Sequence, residues 1–369
     1  MLLLVVAAEA AWFLHPIWRG IVAPTVVLAE ASSVGGRGIA ETAALQLAAA
    51  ETALNQGHWA AAGQAFDRAA ELDPAPPNAT IAAARSLLAI HRLDDAVARA
   101  RRAVAIEPHS VEALALLATA LDWSGQVQEA VEVARRAHAL APRDPWVQAV
   151  LAEALADRGA STEADELMAL ALAGAPDLAE VQRIRGAIHE VNADYAQAVE
   201  AYRRALALEP GAAHRHLSLG LALRSLGEHD EAAAACNRAV DLAPTNARVY
   251  GCLGLVSLAQ GQIARAVTLF EWALELDPHY PTAAAQLGWI ASRRGEDGRA
   301  VPLFEAAVAG DRDPARLAQY RQALGWSYLR LGQGAQAREQ FTRALELDPS
   351  VQSAREGLAA VARGRIASR

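Results

Sequence analysis

Residues 245 to 278 read TNARVYGCLGLVSLAQGQIARAVTLFEWALELDP. Two apolar-periodic helical runs flank a turn at Gly261, and a proline closes the unit where a helix cannot continue. Within it, Gly254 is followed after twelve residues by Ala266 and after seven more by Ala273. Outward from Pro278, prolines recur every 34 residues at Pro74, Pro108, Pro142, Pro176, Pro210 and Pro244, and Pro314 and Pro349 extend the series with steps of 36 and 35. A fixed period of this length marks stacked repeats, not separate globular domains.

Laid in register, the nine units agree at three sites. The first is always small: Ala50, Ala84, Ala118, Ala152, Gly186, Gly220, Gly254, Gly288 and Gly325. The second and third are alanine throughout, from Ala62 and Ala69 in the first unit to Ala337 and Ala344 in the ninth. Side chains this small let helices cross closely within a unit and against the next. Turn glycines at Gly57, Gly125, Gly159, Gly227, Gly261, Gly295 and Gly332 suit a helix end that needs positive φ.

This pattern resembles the tetratricopeptide repeat, a helix-turn-helix unit with small-residue, alanine, aromatic and proline positions in this order. The resemblance covers about Ala43 to Pro349. The family's aromatic between the alanine sites is matched by Phe66, Tyr202, Phe270, Phe304 and Phe341. It is replaced by Ala100, Ala134, Met168 and Cys236, from which we expect looser packing in repeats two to four. The family's early tryptophan is absent, with residues such as Gln148, His216 and Arg321 in its place. The resemblance implies an all-α, right-handed superhelical solenoid of about nine repeats whose first helices line a concave groove. Packing alone implies only that neighbours stack to bury each apolar face. Residues 350–369 read as a capping helix with a basic tail, and the junction GDRDP at 310–314 as a longer loop that leaves the stack intact.

Hydrophobic residues make up 53% of the chain but aromatics only 5%, an alanine-driven balance that suits close-packed helices and disfavours a β-sandwich or barrel. The net charge of −8 argues against nucleic acid as a partner. No lysine occurs among the 34 basic residues, which removes Schiff-base and phosphate-loop chemistry and the two-lysine carboxylate clamp of some relatives. Two cysteines are too few for a disulfide scaffold or a cysteine-based zinc module. No G-x-S-x-G, H-E-x-x-H or C-x-x-C motif occurs, and the repeats leave no room for a catalytic domain. We therefore expect a non-enzymatic protein with no cofactor, metal or small-molecule substrate. His214 and His216, two apart on a helix, point to different sides and read as solvent-facing groove residues.

Residues 1–31 differ from the rest, with MLLLVVAAEAAWFL, HPIWRG and IVAPTVVLAEA preceding a Ser/Gly linker at 32–42. Three readings stand open. One is a secretory leader with Arg19 before an apolar run and Ala29-Glu30-Ala31 as its cleavage site. The others are a marginal membrane helix over Leu2 to Trp18 and an apolar helix that docks on a partner or on the first repeat. The first two place the protein in the periplasm or at a membrane of bacterial type. Cys236 and Cys252, on adjacent helices of repeats six and seven, either pair or remain buried free thiols, the commoner fate of the residue.

The concave wall is where we expect function. Glu112, Asp122, Glu153, Asp157, Glu180 and Glu190 give repeats three to five an acidic lining. Trp289 and Trp326 share one register in repeats eight and nine, Arg293 and Arg330 follow each by four residues, and Arg224 and Arg248 lie between the two regions. Trp123 and Trp146 add a second apolar contact beside the acidic stretch. The alternative for Trp289 and Trp326 is space-filling between first helices. These residues lead us to expect a protein or peptide ligand held in the groove by tryptophan anchors, its basic portion toward repeats three to five and its acidic portion toward repeats eight and nine. The competing expectation is a structural scaffold subunit of a larger membrane complex, anchored by its apolar N-terminus.

Overall fold

The structure, a computed structural model, describes residues 77–89 and 92–363 together with scattered residues between 45 and 69. The segment 1–31, the linker at 32–42, much of repeat one and the basic tail past 363 lie outside the described residues. Every described element is a helix or a turn. The pairs are α1 (Pro77–Ala89) with α2 (Leu93–Ile106), α3 (Val111–Trp123) with α4 (Val127–Leu140), and α5 (Pro145–Asp157) with α6 (Ser161–Gly174). Next come α7 (Ala179–Val191) with α8 (Tyr195–Leu208), α9 (Ala213–Leu226) with α10 (His229–Leu242), and α11 (Ala247–Ala259) with α12 (Ile263–Leu276). The last are α13 (Pro281–Arg293) with α14 (Asp297–Gly310), α15 (Pro314–Arg330) with α16 (Gly334–Leu347), and the capping helix α17 (Gln352–Ala362). Each odd helix packs on its even partner, each even helix packs on the next odd one, and most successive odd helices also touch.

Two burial patterns follow from this order. Helix α3 is buried without a break from Ala113 to Asp122, because other helices surround it. Its partner α4 buries only a stripe, Ala130, Val131, Val133, Ala134 and Ala137, and keeps a solvent face. Odd helices thus form an inner layer and even helices an outer one. Side-chain caps start several inner helices: Ser110, Asp144, Asn246 and Asp313 accept from backbone N–H groups of α3, α5, α11 and α15. The turn glycines Gly125, Gly159, Gly227, Gly261, Gly295 and Gly332 adopt φ between 75° and 93°.

Glycine at the small site makes room for a ring. A Cβ added at Gly186, Gly254, Gly288 or Gly325 would lie 2.5–2.8 Å from the ring of Tyr202, Phe270, Phe304 or Phe341. In repeat six the space beside Gly220 holds sulfur instead. Cys236 and Cys252 are joined there as a disulfide with Cα atoms 5.9 Å apart, the first of the two alternatives that the sequence left open. In repeats two to four the small site is Ala84, Ala118 or Ala152, and it faces Ala100, Ala134 or Met168. All six are at most 5% exposed, so the looser packing expected there gives way to an exchange of volume across a closed contact.

Polar residues at the place of the missing tryptophan have a role the sequence did not disclose. The side chains of Gln148, Gln182 and Tyr250 donate to the carbonyls of Pro142, Pro176 and Pro244 at 2.9, 2.7 and 2.9 Å, and His216 Nε2 lies 3.0 Å from the Pro210 carbonyl oxygen. They satisfy a carbonyl at each junction that would otherwise lack a donor. The long junction before α15 leaves the stack intact, as expected, and reaches across the superhelix. Arg312 pairs with Asp94 at 3.1 Å, and its Cβ packs on the Gly125 turn.

Candidate partner-binding groove

Five successive inner helices converge on one cleft of about 560 Å³. Its walls are Leu88 of α1, Leu116, Thr119 and Trp123 of α3, Trp146 of α5, Glu180 of α7, and His214 and Arg215 of α9. Every helical residue among these is on an odd helix, which puts the cleft on the concave wall. Curvature there is tight: the rings of Trp123 and His214, from repeats three and six, are 6.0 Å apart.

Beside the cleft lies a buried network. Arg183, 3% exposed, grips Glu153 through two bonds of 2.9 and 2.7 Å and donates from Nε to Glu180 at 2.7 Å. Its guanidinium sits 4.9 Å from the centre of the Trp123 ring, and the Trp123 indole N–H donates to Glu153 at 3.4 Å. Burial alone would lower the Arg183 pKa, but the two carboxylates outweigh it and hold the guanidinium charged. Burial likewise opposes ionisation of Glu180, and the Arg183 charge overcomes it, so its pKa falls below the usual value. Arg215 donates to Glu209 at 2.6 Å and lies 3.6 Å from Glu180.

Three groups remain uncompensated. Asp122 is 5% exposed and neither carboxylate oxygen has a hydrogen-bond partner. Burial, then Asp157 and Glu153, pushes its carboxyl well above the usual range. Asp157, exposed at the end of α5, is pushed up to about 6 by desolvation and then by Glu153. His214 is not the solvent-facing residue expected: it is half-buried in the cleft wall, its Nδ1 has no partner, and burial drives its pKa down to about 3, leaving the ring neutral.

Family models described as tetratricopeptide repeat match residues 81–145, 187–247 and 253–316, and two further repeat models match 124–188 and 318–351. The chain belongs to the tetratricopeptide repeat family. Its solenoid is similar to that of Cut9 in the crystal structure of the APC/C hetero-tetramer Cut9-Hcn1, with 14% identity, a TM-score of 0.60, and coverage of 86% of this chain and 76% of that one. It is also similar to human IFIT1, solved as a dimer with m7Gppp-AAAA, at 18% identity and a TM-score of 0.55, over 81% of this chain and 80% of that one. At these identities the likeness shows the fold. No curated protein sequence matches the chain.

Within this solenoid the candidate residues separate into two groups. The six carboxylates do not form one open acidic strip. Glu112 pairs with Arg85, Glu153 and Glu180 are held by Arg183, Glu190 accepts from the Tyr202 hydroxyl at 2.5 Å, and Asp122 is enclosed. Asp157 alone is both exposed and without an ion pair among the described residues. Trp289 is half-buried, its ring 6.0 Å from Phe304 and 5.7 Å from Tyr320. Trp326 packs edge-on against Phe341 at 5.4 Å and donates to Ser353 at 2.9 Å. Arg330 grips the buried Asp297 through two bonds of 2.7 Å, while Arg293 is exposed. Arg224 and Arg248 are half-buried, and burial lowers the pKa of Arg224.

Sequence reasoning missed Arg183, Arg215, Leu88 and Leu116 as parts of this wall. The sequence carried no clear signal for the arginines, since α7 and α9 also hold Glu180, Gln182, Arg185 and His189, and His214, His216 and Arg224.

Proposed function

We propose that this tetratricopeptide repeat protein is a non-enzymatic adaptor whose concave groove holds a partner polypeptide, with its main anchor in the cleft of repeats two to six. The observation that carries the reading is that cleft: leucines from three repeats and two tryptophans edge a concave space large enough for a bulky side chain. Buried aromatic anchors of this kind dominate binding energies at protein interfaces. Trp289 and Trp326, half-buried against their own repeats, would present only their outer edges to the partner's distal part.

The apolar segment 1–31 and the Cys236–Cys252 disulfide support a location at or beyond a membrane, in an oxidising compartment. Among the described residues no helix is long and apolar enough to cross a membrane. The test is quantitative recovery of co-purifying proteins from native membranes with wild type, Trp146→Ala and Glu132→Gln, the last on the exposed side of α4. We expect Trp146→Ala to lose at least about tenfold of the partner, as removal of an anchor does, and Glu132→Gln to retain it. Equal recovery in a still-helical Trp146→Ala protein would refute the cleft.

A further inference from the structure

Four carboxylates gather at the C-terminal end of α5 around too few cations. Asp157, on the exposed end of α5, lies within electrostatic reach of Asp122 of α3, Glu153 of its own helix, Asp313 of the junction before α15 and Arg183 of α7. Arg183 is already committed to Glu153 and Glu180. Asp313 caps α15 and meets Arg316 at 3.3 Å. Asp122 is 95% buried with both oxygens unpartnered, and it feels Asp157 and Glu153 directly. Nothing in the stacking of helices requires this gathering of carboxylates, and each raises the cost of ionising its neighbours.

A metal ion does not answer the excess: among the described residues no group of three histidine, cysteine or carboxylate side chains is arranged to hold one. A side-chain cation on an extended stem does. The wall already shows how it receives such a group, since Arg183 lies over the Trp123 ring while bound to carboxylates. We propose that Asp157 receives a lysine or arginine side chain of the bound polypeptide, about five residues along from the apolar side chain seated against Trp146. The spacing follows from α5 itself. Trp146 and Asp157 are eleven residues apart on one helix, about 16 Å at 1.5 Å per residue, a span that an extended chain covers in about five residues. This assignment rests on the reading of the groove as a polypeptide site and names the chemistry of its partner.

The ionised carboxylate is the binding form, so affinity for a basic ligand rises with pH through the Asp157 value of about 6. Bound cation in turn draws that value down, and protons leave on binding.

The probes are short fluorescein-labelled Gly/Ser peptides that carry one leucine and, five residues before or after it, lysine, glutamine or glutamate. Their binding to the full chain is read by anisotropy. The lysine peptide is expected to bind about tenfold more tightly than the glutamine peptide near neutral pH, and the glutamate peptide more weakly than either. The lysine advantage shrinks below about pH 6 and with added salt. It vanishes in Asp157→Asn and persists in Glu132→Gln. A glutamine or glutamate peptide that binds as well as the lysine one, or a lysine preference that survives Asp157→Asn, overturns the assignment. If no peptide binds while partner recovery still depends on Trp146, the charge assignment falls and the groove reading stands. If recovery is also indifferent to Trp146, both fall.

Discussion

Ala193 holds a backbone conformation that its neighbours in the repeat give to glycine. Its φ is 58°, and it sits at the turn where Gly159, Gly227, Gly261, Gly295 and Gly332 are found in other units. The left-handed conformation costs a residue with a Cβ about 1–2 kcal/mol, part of which glycine returns through its freer unfolded chain. Ala193→Gly is therefore expected to stabilise the protein by about 0.5–1 kcal/mol, seen as a higher urea midpoint. The small-site glycines behave oppositely. In Gly288→Ala the new Cβ would come within 2.8 Å of the Phe304 ring, well inside the ordinary carbon contact of about 3.5–4.0 Å, and overpacking of this kind costs about 1–3 kcal/mol. The positions of these glycines were legible in the sequence because they recur. Their pairing with rings in some units and alanine with alanine in others was present in the same register, but it becomes readable only once the facing residues are known.

Asp157 supplies a pH dependence at this scale. Its folded value of about 6 exceeds the unfolded value near 4, so the folded state binds more protons in between, and its contribution to stability falls as pH rises from about 4 to 6. The exposed carboxylate is screened, so we expect on the order of 1 kcal/mol. Asp157→Asn should flatten that part of the pH–stability profile; a profile identical to wild type would show that its environment does not disfavour the charge.

At the level of elements, α3, α5 and α7 are tied by charges inside an apolar layer. Glu153 and Arg183 are 4% to 7% exposed at their side chains and thirty residues apart, as are Trp123 and Glu153. In a chain of period 34 that separation joins facing turns of neighbouring inner helices. Removing one partner strands the other. Arg183→Ala is expected to cost about 3–5 kcal/mol, read from denaturant unfolding, and adding Glu153→Gln should recover part of the loss. The outer layer has a weaker counterpart. Arg101–Glu129, Arg135–Glu163, Arg203–Glu231 and Glu271–Arg299 link successive outer helices across 28 residues, all exposed and each worth at most about 1 kcal/mol. Helix existence and order were readable because apolar periodicity and turn residues are local. Glu153 does not lie open because its arginine, Arg183, comes from the next repeat, a pairing that sequence cannot show, whereas Glu180 meets the same arginine three residues along its own helix.

For the whole molecule, the solenoid curves until Arg312 of the junction meets Asp94 of α2, 218 positions away, and the Gly125 turn before α4. Period and handedness give stacking, but the amount of curvature depends on side-chain volumes at every crossing, so the cleft could not be read from the sequence. Farther along the array, the disulfide fastens α10 to α11 across sixteen residues. A loop of that size is worth about 3 kcal/mol, and the Cys236→Ala/Cys252→Ala protein is expected to unfold at lower temperature and to lose its sensitivity to reductant.

The groove itself is tested most directly by placing a photoreactive side chain at Leu178, an exposed residue on the cleft rim, and at Glu132 on the outer layer, in the full chain in its native cells. The account predicts that illumination yields a discrete protein adduct from position 178, abolished by Trp146→Ala, and none from position 132. Adducts from the outer position alone would contradict it.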